Sequence, residues 1–346
     1  PAEVLAGLAN PMEISMMKNG VIAGVSAVQP LFTGGQIVNG NRLAKMSEEV
    51  SQLQLEMSEN DVEVNTEKYF WQIITLQEKM KTIAAVEAML DDISKDVELA
   101  VKAGLTMRND LLQVQLRQND IRSQKMKLQN GLSIMKLLMA QYCGLADTAF
   151  SLAVPAMVNV EQIISNPDNI NNLPEYQLLQ KQTEAAAIQR KMELGKNMPS
   201  VAVGAGYNFH TLMNENQSFG IVFATISIPI SDWWSGSHNV KRKRIEQLKT
   251  EEQLADNTNM LRIRQSKALN DVNEAAQQID IAKLSIAQAD ENLRLHRDYY
   301  KAGTSRMTDL LEAQLLYQQT LDKYVDAFAD YQNKLLEWKI ASGTNN

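Results

Sequence analysis

No apolar run in this 346-residue chain approaches the roughly 18 residues that a membrane-crossing helix needs. If the chain meets a bilayer, it must do so through β-strands or a lipid anchor. Cysteine is almost missing too. Cys143 is the only one, which excludes an intramolecular disulfide and leaves the redox compartment unread. It closes an apolar run beside Tyr142 and Gly144, where packing is its expected role. Glycine and proline are scarce at 16 and 8 residues, and they cluster in a few places. Positive charge is in deficit, 34 Lys and Arg against 41 Asp and Glu, and the net charge of -7 disfavours nucleic acid as a partner. The one basic cluster, Lys241-Arg242-Lys243-Arg244, reads as a solvated turn of a long helix.

Catalytic groupings are also wanting. The three histidines, His210, His238 and His296, are scattered and lack metal-ligand spacing. No Gly-rich phosphate loop follows a strand, and no nucleophile sits with a base. The acidic pairs Asp91-Asp92 and Glu251-Glu252 read as solvated helix faces. The 17 methionines, Met12, Met16 and Met17 among them, read as packing groups and not as soft-metal ligands. Neither an enzyme nor a cofactor is expected.

What the chain does have is self-similarity. Residues 101–116 read VKAGLTMRNDLLQVQL and residues 300–315 read YKAGTSRMTDLLEAQL. Eight of the sixteen positions are identical, where chance gives roughly one. The same offset of 199 relates Pro30 to Pro229 and Gly144 to Gly343. An internal duplication at that offset, with no net insertion between landmarks, demands rigid elements of matched length. No Gly or Pro occurs from Asn41 to Ala103 or from Ser237 to Ala302. Helices of that length would extend ~90 Å. Gly104 and Gly303 can then redirect each chain, and a second helical stretch follows each, ending near Gly144 and Gly343. Each half is predicted to be a helix-tip-helix hairpin.

After Gly303, Leu310, Gln314, Tyr317, Leu321, Tyr324, Phe328, Tyr331, Leu335 and Trp338 alternate spacings of four and three, the seam of a coiled coil. Interhelical core explains this stripe better than a ligand box. The matching stripe, Val114, Ile121, Leu128, Leu132, Met135 and Met139, is interrupted by Gln118, Arg122 and Lys125, which implies a partly wet face.

Strands are expected at the hairpin roots. In residues 201–209, Val201, Val203, Ala205, Tyr207 and Phe209 share one face, with small residues on the other. A polar turn at Asn214-Glu215-Asn216 leads to a second strand at 219–228, and residues 20–29 resemble that strand one offset earlier. The residue matching Pro199 would be number zero, so the first half's opening strand and the helix before it are expected to be missing. Three strands are expected here and four in an intact protein. So few strands cannot close a barrel, and open edges are not tolerated in lipid. Four from each of three chains would give twelve, an allowed even number.

The motifs QPLFTGG (Gln29 to Gly35), KAGLTMRNDLLQVQ, LPEYQLLQ (Leu173 to Gln180), MPSVAVGAGY (Met198 to Tyr207), SIPISDWW (Ser227 to Trp234) and YKAGTSRMTDLLEAQ, in that order and with the duplication, resemble the TolC family of outer-membrane efflux proteins. The resemblance covers nearly the whole chain. It implies a mainly α fold with a small β part, in which long antiparallel helical hairpins form an α-barrel and strands contribute to a trimeric transmembrane β-barrel. Barrel strands are expected in 1–39 and 198–236, periplasmic hairpins in 40–149 and 237–343, and an equatorial region with a connecting helix in 150–197. The implied function is the exit duct of a tripartite efflux or secretion system in the outer membrane of a Gram-negative bacterium, projecting into the periplasm. Drugs, toxic compounds or ions would pass through it. The implied partners are two further copies of the chain, a periplasmic adaptor, an inner-membrane pump and outer-membrane lipid.

The same resemblance implies site residues. Adaptor-docking tips fall at Gly104, Leu105, Thr106 and at Gly303, Thr304, Ser305. The pore constriction falls at Asp309 and Glu312, and a gate latch at Asp110 and Tyr300. Three copies of two carboxylates around a narrow mouth would favour cations and raise one another's pKa values. A Tyr300 hydroxyl donating to Asp110 would be a bond that opening could break. Acidic residues also suit helix starts, which is the plainer reading of Asp110 and Asp309. The chain departs from the family where a basic residue is usual two positions after the second tip glycine: Ser305 stands there, and Arg306 follows. A soluble coiled-coil scaffold without a pore is the rival, but it leaves the alternating strands and the Trp233-Trp234 pair at the hairpin root unexplained.

Overall fold

The computed structural model of the protein describes residues 21–147, 149–153, 163, 170–211, 216–230 and 232–344, with side chains for all of these but 232–235. Met12, Met16, Met17, Asn214, Glu215 and the side chains of Trp233 and Trp234 therefore lie outside the described residues, as does most of the stretch between 154 and 169. The elements, in chain order, are β1 (Ile22–Thr33), α1 (Gln36–Lys102), α2 (Arg108–Tyr142), a 3-10 turn (Ile170–Asn172), α3 (Pro174–Lys196), β2 (Ser200–His210), β3 (Gln217–Ser227), α4 (Asp232–Lys301) and α5 (Met307–Ser342). Helices of 67 and 70 residues form because little interrupts them. Each helix begins a few residues ahead of the Gly- and Pro-free stretch read from sequence, taking in Gly40 or Gly236 in its opening turns.

All four hairpin helices end alike. Gly104 and Gly303 both have φ 73, and Gly144 and Gly343 both have φ 67. At Gly104 the Leu105 N–H donates to Ala100 O at 2.8 Å and the Gly104 N–H to Val101 O at 3.0 Å. This paired closure recurs at Gly303, Gly144 and Gly343. It satisfies carbonyls that a helix end leaves bare, and it requires the left-handed residue that glycine adopts without penalty.

Two compact units divide the chain, Pro1–Val50 with Gln180–Leu254, and Ser51–Leu179 with Ala255–Asn346. The first holds an antiparallel sheet in the order β1-β2-β3. Register aligns Ala27 with Ala205 and Val222, and Val25 with Tyr207 and Gly220. Aligned residues share a face. This face is apolar and uncovered, with Val25 80% and Val222 86% exposed. The other face is mixed, carrying Ser26, Gly206 and Asn208, and there the Phe223 ring fills the space where a Cβ of Gly204 would stand. Pro30 sits beside the register shift between Pro30 and Phe32, a bulge, where a missing N–H is tolerated. None of the three strands contains Asp, Glu, Lys or Arg.

The second unit is a helical core. Trp71, Ile74, Ala275, Ala276, Ile279, Phe328 and Tyr331 form one cluster, with the Trp71 and Phe328 rings edge-on at 5.6 Å. Nearer the tips, Ile93 and Val97 of α1, Val114 of α2, Leu293 of α4 and Met307, Leu310 and Ala313 of α5 form another. All four helices thus meet at one end. Each large side chain buried there contributes roughly 1.5–3 kcal/mol. Every residue of the α5 seam is buried or half-buried, and so is every apolar member of the α2 stripe. Cys143 corrects an expectation: it is exposed, because α2 closes at Gly144 and its last turn leaves the packed face.

Candidate functional site

The two tips lie side by side and enclose a groove of about 1050 Å³ lined by Thr106, Asp110, Tyr300, Ser305, Arg306 and residues of α1. One device orders both tips. Two residues after each glycine stands a hydroxyl, and four residues further on a carboxylate in the first turn of the next helix. The Thr106 hydroxyl donates to the Asp110 carboxylate. The Ser305 hydroxyl donates to Asp309 Oδ2 at 3.1 Å, joined by the Arg306 N–H at 3.2 Å and the Thr308 hydroxyl, to Oδ1, at 3.3 Å. Asp309 is thereby half of a capping box, satisfying an N–H that the helix start would leave bare. The Arg306 N–H first, then the Ser305 hydroxyl, hold its carboxyl below the usual aspartate range.

The residues expected to latch the entrance come together through a third. Tyr300 is half-buried, and burial raises its hydroxyl pKa. A hydrogen bond with Thr106 opposes that rise, and the charge of Asp110 adds to it. Thr106 therefore links Asp110 and Tyr300. Ser305, standing two positions after the second tip glycine, donates to Asp309 of its own chain, while Arg306, the N-cap residue of α5, is exposed. Glu312 is exposed one turn beyond half-buried Asp309, and Leu105 projects from the first tip, 82% exposed. Thr304 donates back to Tyr299 O at 3.1 Å and closes its own turn.

Sequence reasoning missed Thr106 as the linking residue, although a hydroxyl four residues before each conserved-offset aspartate was there to be read. It also missed a polar ladder above the tips. Arg117 Nε donates to Gln314 Oε1 at 3.1 Å, Arg117 Nη2 to Gln318 Oε1 at 2.9 Å, and Gln318 Nε2 to Gln124 Oε1 at 2.9 Å. Of the residues expected to wet the α2 face, Arg122 is exposed, while two reach α1: Gln118 donates to Asp91 at 2.7 Å and Lys125 to Glu87 at 2.6 Å.

Two helical hairpins with a shared tip groove, together with a three-stranded sheet free of charged residues, define a TolC-like channel fold. The structure of VceC, an outer membrane protein of Vibrio cholerae, matches with a TM-score of 0.77 at 11% identity, covering 94% of this chain and 87% of that one. CusC matches with a TM-score of 0.83 at 14% identity, covering 94% of this chain and 83% of that one. The CmeC outer membrane channel of Campylobacter jejuni matches with a TM-score of 0.79 at 14% identity, covering 95% and 78%. No curated protein sequence matches the chain. Residues 170–344 match the model of the outer membrane efflux protein family, and the chain belongs to that family, one of channels and not of enzymes.

Proposed function

We propose that three copies of this chain assemble into a gated exit duct in the outer membrane of a Gram-negative bacterium. The duct passes small molecules from an inner-membrane pump, through a periplasmic adaptor, to the exterior. The observation that carries this reading is the sheet. Among the described residues β1 and β3 each pair with β2 alone, so both outer edges are open, and one face is apolar and uncovered. Open edges are untenable in lipid unless neighbouring copies close them.

The hairpin tips are the adaptor-docking end, with exposed Leu105 as an apolar contact there. Three copies of Asp309 and Glu312 form the constriction. Thr106, joining Asp110 to Tyr300, ties the first tip to the end of α4 and serves as the latch. The test is reconstitution: the purified chain should have the mass of a trimer in detergent and give stepwise currents in a planar bilayer. A monomer that leaves the bilayer silent would end this reading.

A further inference from the structure

Charge begins abruptly where the strands stop, and it is nearly all positive. After β1, α1 presents Arg42 and Lys45 before its first carboxylate at Glu48. After β3, α4 presents Lys241 through Arg244 before Glu246, with Asp232 the only earlier acid. The last two turns of α3, leading into β2, carry Arg190, Lys191 and Lys196 against the single acid Glu193.

Close contacts bring these segments to one level. A Cβ on Gly34 would fall 2.1 Å from Gly195 O, and one on Gly236 would fall 2.1 Å from Asn197 Oδ1. The starts of α1 and α4 therefore both abut the end of α3, and Lys243 Nζ reaches Gln189 Oε1 at 3.3 Å. Lys196 and Lys243 are neutralised by Glu193 and Glu246 at 2.8 and 2.6 Å. Arg42, Lys45, Lys191, Lys241, Arg242 and Arg244 are exposed and form no ion pair among the described residues. In a chain of net charge -7, six cations outside any ion pair, on three helices that adjoin a charge-free sheet, are a segregated surface.

We propose that this collar binds the phosphate groups of anionic phospholipids in the leaflet from which the helices emerge, an inference that rests on the sheet being membrane-embedded. At 1.5 Å per residue, Arg42 lies about 9 Å and Lys241 about 14 Å along their helices from the membrane side. Their long side chains reach back toward the headgroups. The surface potential of an anionic leaflet is felt over about one Debye length, ~8 Å, and each cation held there strengthens binding roughly fivefold. An acidic protein partner is the competing chemistry. The place of these cations, on the turns of three helices that adjoin strands with an uncharged apolar face, favours lipid.

The experiment titrates the detergent-solubilised full chain with equimolar phosphatidylglycerol and phosphatidylcholine and counts bound lipids by native mass spectrometry. Three proteins are compared: the wild type, a neutralised variant (R42Q/K45Q/K191Q/K241Q/R242Q/R244Q) and a charge-conserving variant (R42K/R242K/R244K). The wild type and the charge-conserving variant should prefer phosphatidylglycerol by about tenfold or more at low salt and lose that preference at high salt. The neutralised variant should show almost none, yet give wild-type currents in a bilayer. A wild type without preference, or a neutralised variant that keeps it, overturns the inference. A wild type that inserts in no bilayer overturns the duct instead.

Discussion

Gly34 and Gly195 share one crossing point in the chain: a Cβ on either would lie 2.1 Å from the other's carbonyl oxygen. The turn between β1 and α1, where Gly34 has φ 61, passes directly against the last turn of α3. Neither obstacle is a side chain that could swing aside. Gly195→Ala should therefore destabilise the protein by about 1–3 kcal/mol or more, the cost of overpacking against a rigid neighbour. Gly40, inside α1 with nothing within 4 Å of its Cβ position, is the matched control. Gly40→Ala should be neutral or stabilising by about 0.5–1 kcal/mol. Thermal midpoints of the two variants in detergent check the contrast, and equal shifts would remove the crossing as the cause.

Arg117 holds two helices in register from a half-buried position. Its guanidinium supplies donors to Gln314, which is fully buried, and to Gln318, 3% exposed. Arg117→Leu would leave both amide oxygens without that donor, at about 1–3 kcal/mol for each group stranded. A loss of about 2 kcal/mol or more is expected in chemical denaturation. Adding Gln314→Leu should recover part of it, because the stranded acceptor is then gone and the pair is coupled. Strictly additive losses would show that Arg117 acts through something else.

The α5 seam, the tip glycines and the three strands were legible in the sequence because each is a local pattern. Leu310 to Trp338 repeat at coiled-coil spacing, and Val201, Val203, Ala205, Tyr207 and Phe209 alternate along β2. The Arg117–Gln314 bond joins residues 197 apart, and its existence depends on how α2 and α5 are staggered, which no local pattern states. The Gly34–Gly195 crossing is similar: each glycine reads as an ordinary break until the two backbones meet. Cys143 was misplaced for a related reason. An apolar neighbourhood in sequence does not reveal that the helix has already turned off its packed face. The tips fall between these cases. An aspartate in the first turn of a helix is a local signal at Asp110 and Asp309, while the hydroxyls of Thr106 and Ser305 that bond to them read in sequence only as docking surface.

The second tip should loosen in acid. Asp309 has a folded-state pKa below its usual value, so its contribution to stability is present above the usual aspartate pKa of about 3.9 and lost as pH falls through the lowered folded value. Hydrogen exchange over residues 303–310, corrected for intrinsic rates, should show protection falling below about pH 4. In Asp309→Asn the side-chain oxygen can still accept from the Arg306 N–H, but without charge. Its protection should be weaker throughout and should not change with pH. A wild-type tip indifferent to acid would mean that the cap contributes little.

Glu312 separates the constriction from the cap. Asp309 is engaged by three donors, so its replacement disturbs the α5 start as well as any pore charge. Glu312 is exposed and forms no ion pair or hydrogen bond among the described residues, so Glu312→Gln changes charge with little cost in structure. In the proposed trimer it would remove three negative charges from the proposed constriction, where a low-dielectric wall would amplify each of them. Cation selectivity should fall and block by divalent cations should weaken by about tenfold, while the thermal midpoint stays within about 1 °C of wild type. Thr106→Val, which unties Asp110 from Tyr300 without touching either ring carboxylate, should do the reverse: raise open probability and leave divalent block unchanged. Single-channel recording distinguishes the two, because one variant alters what an open pore admits and the other alters how often it opens. Identical effects from both would mean that charge and latch are not separate devices.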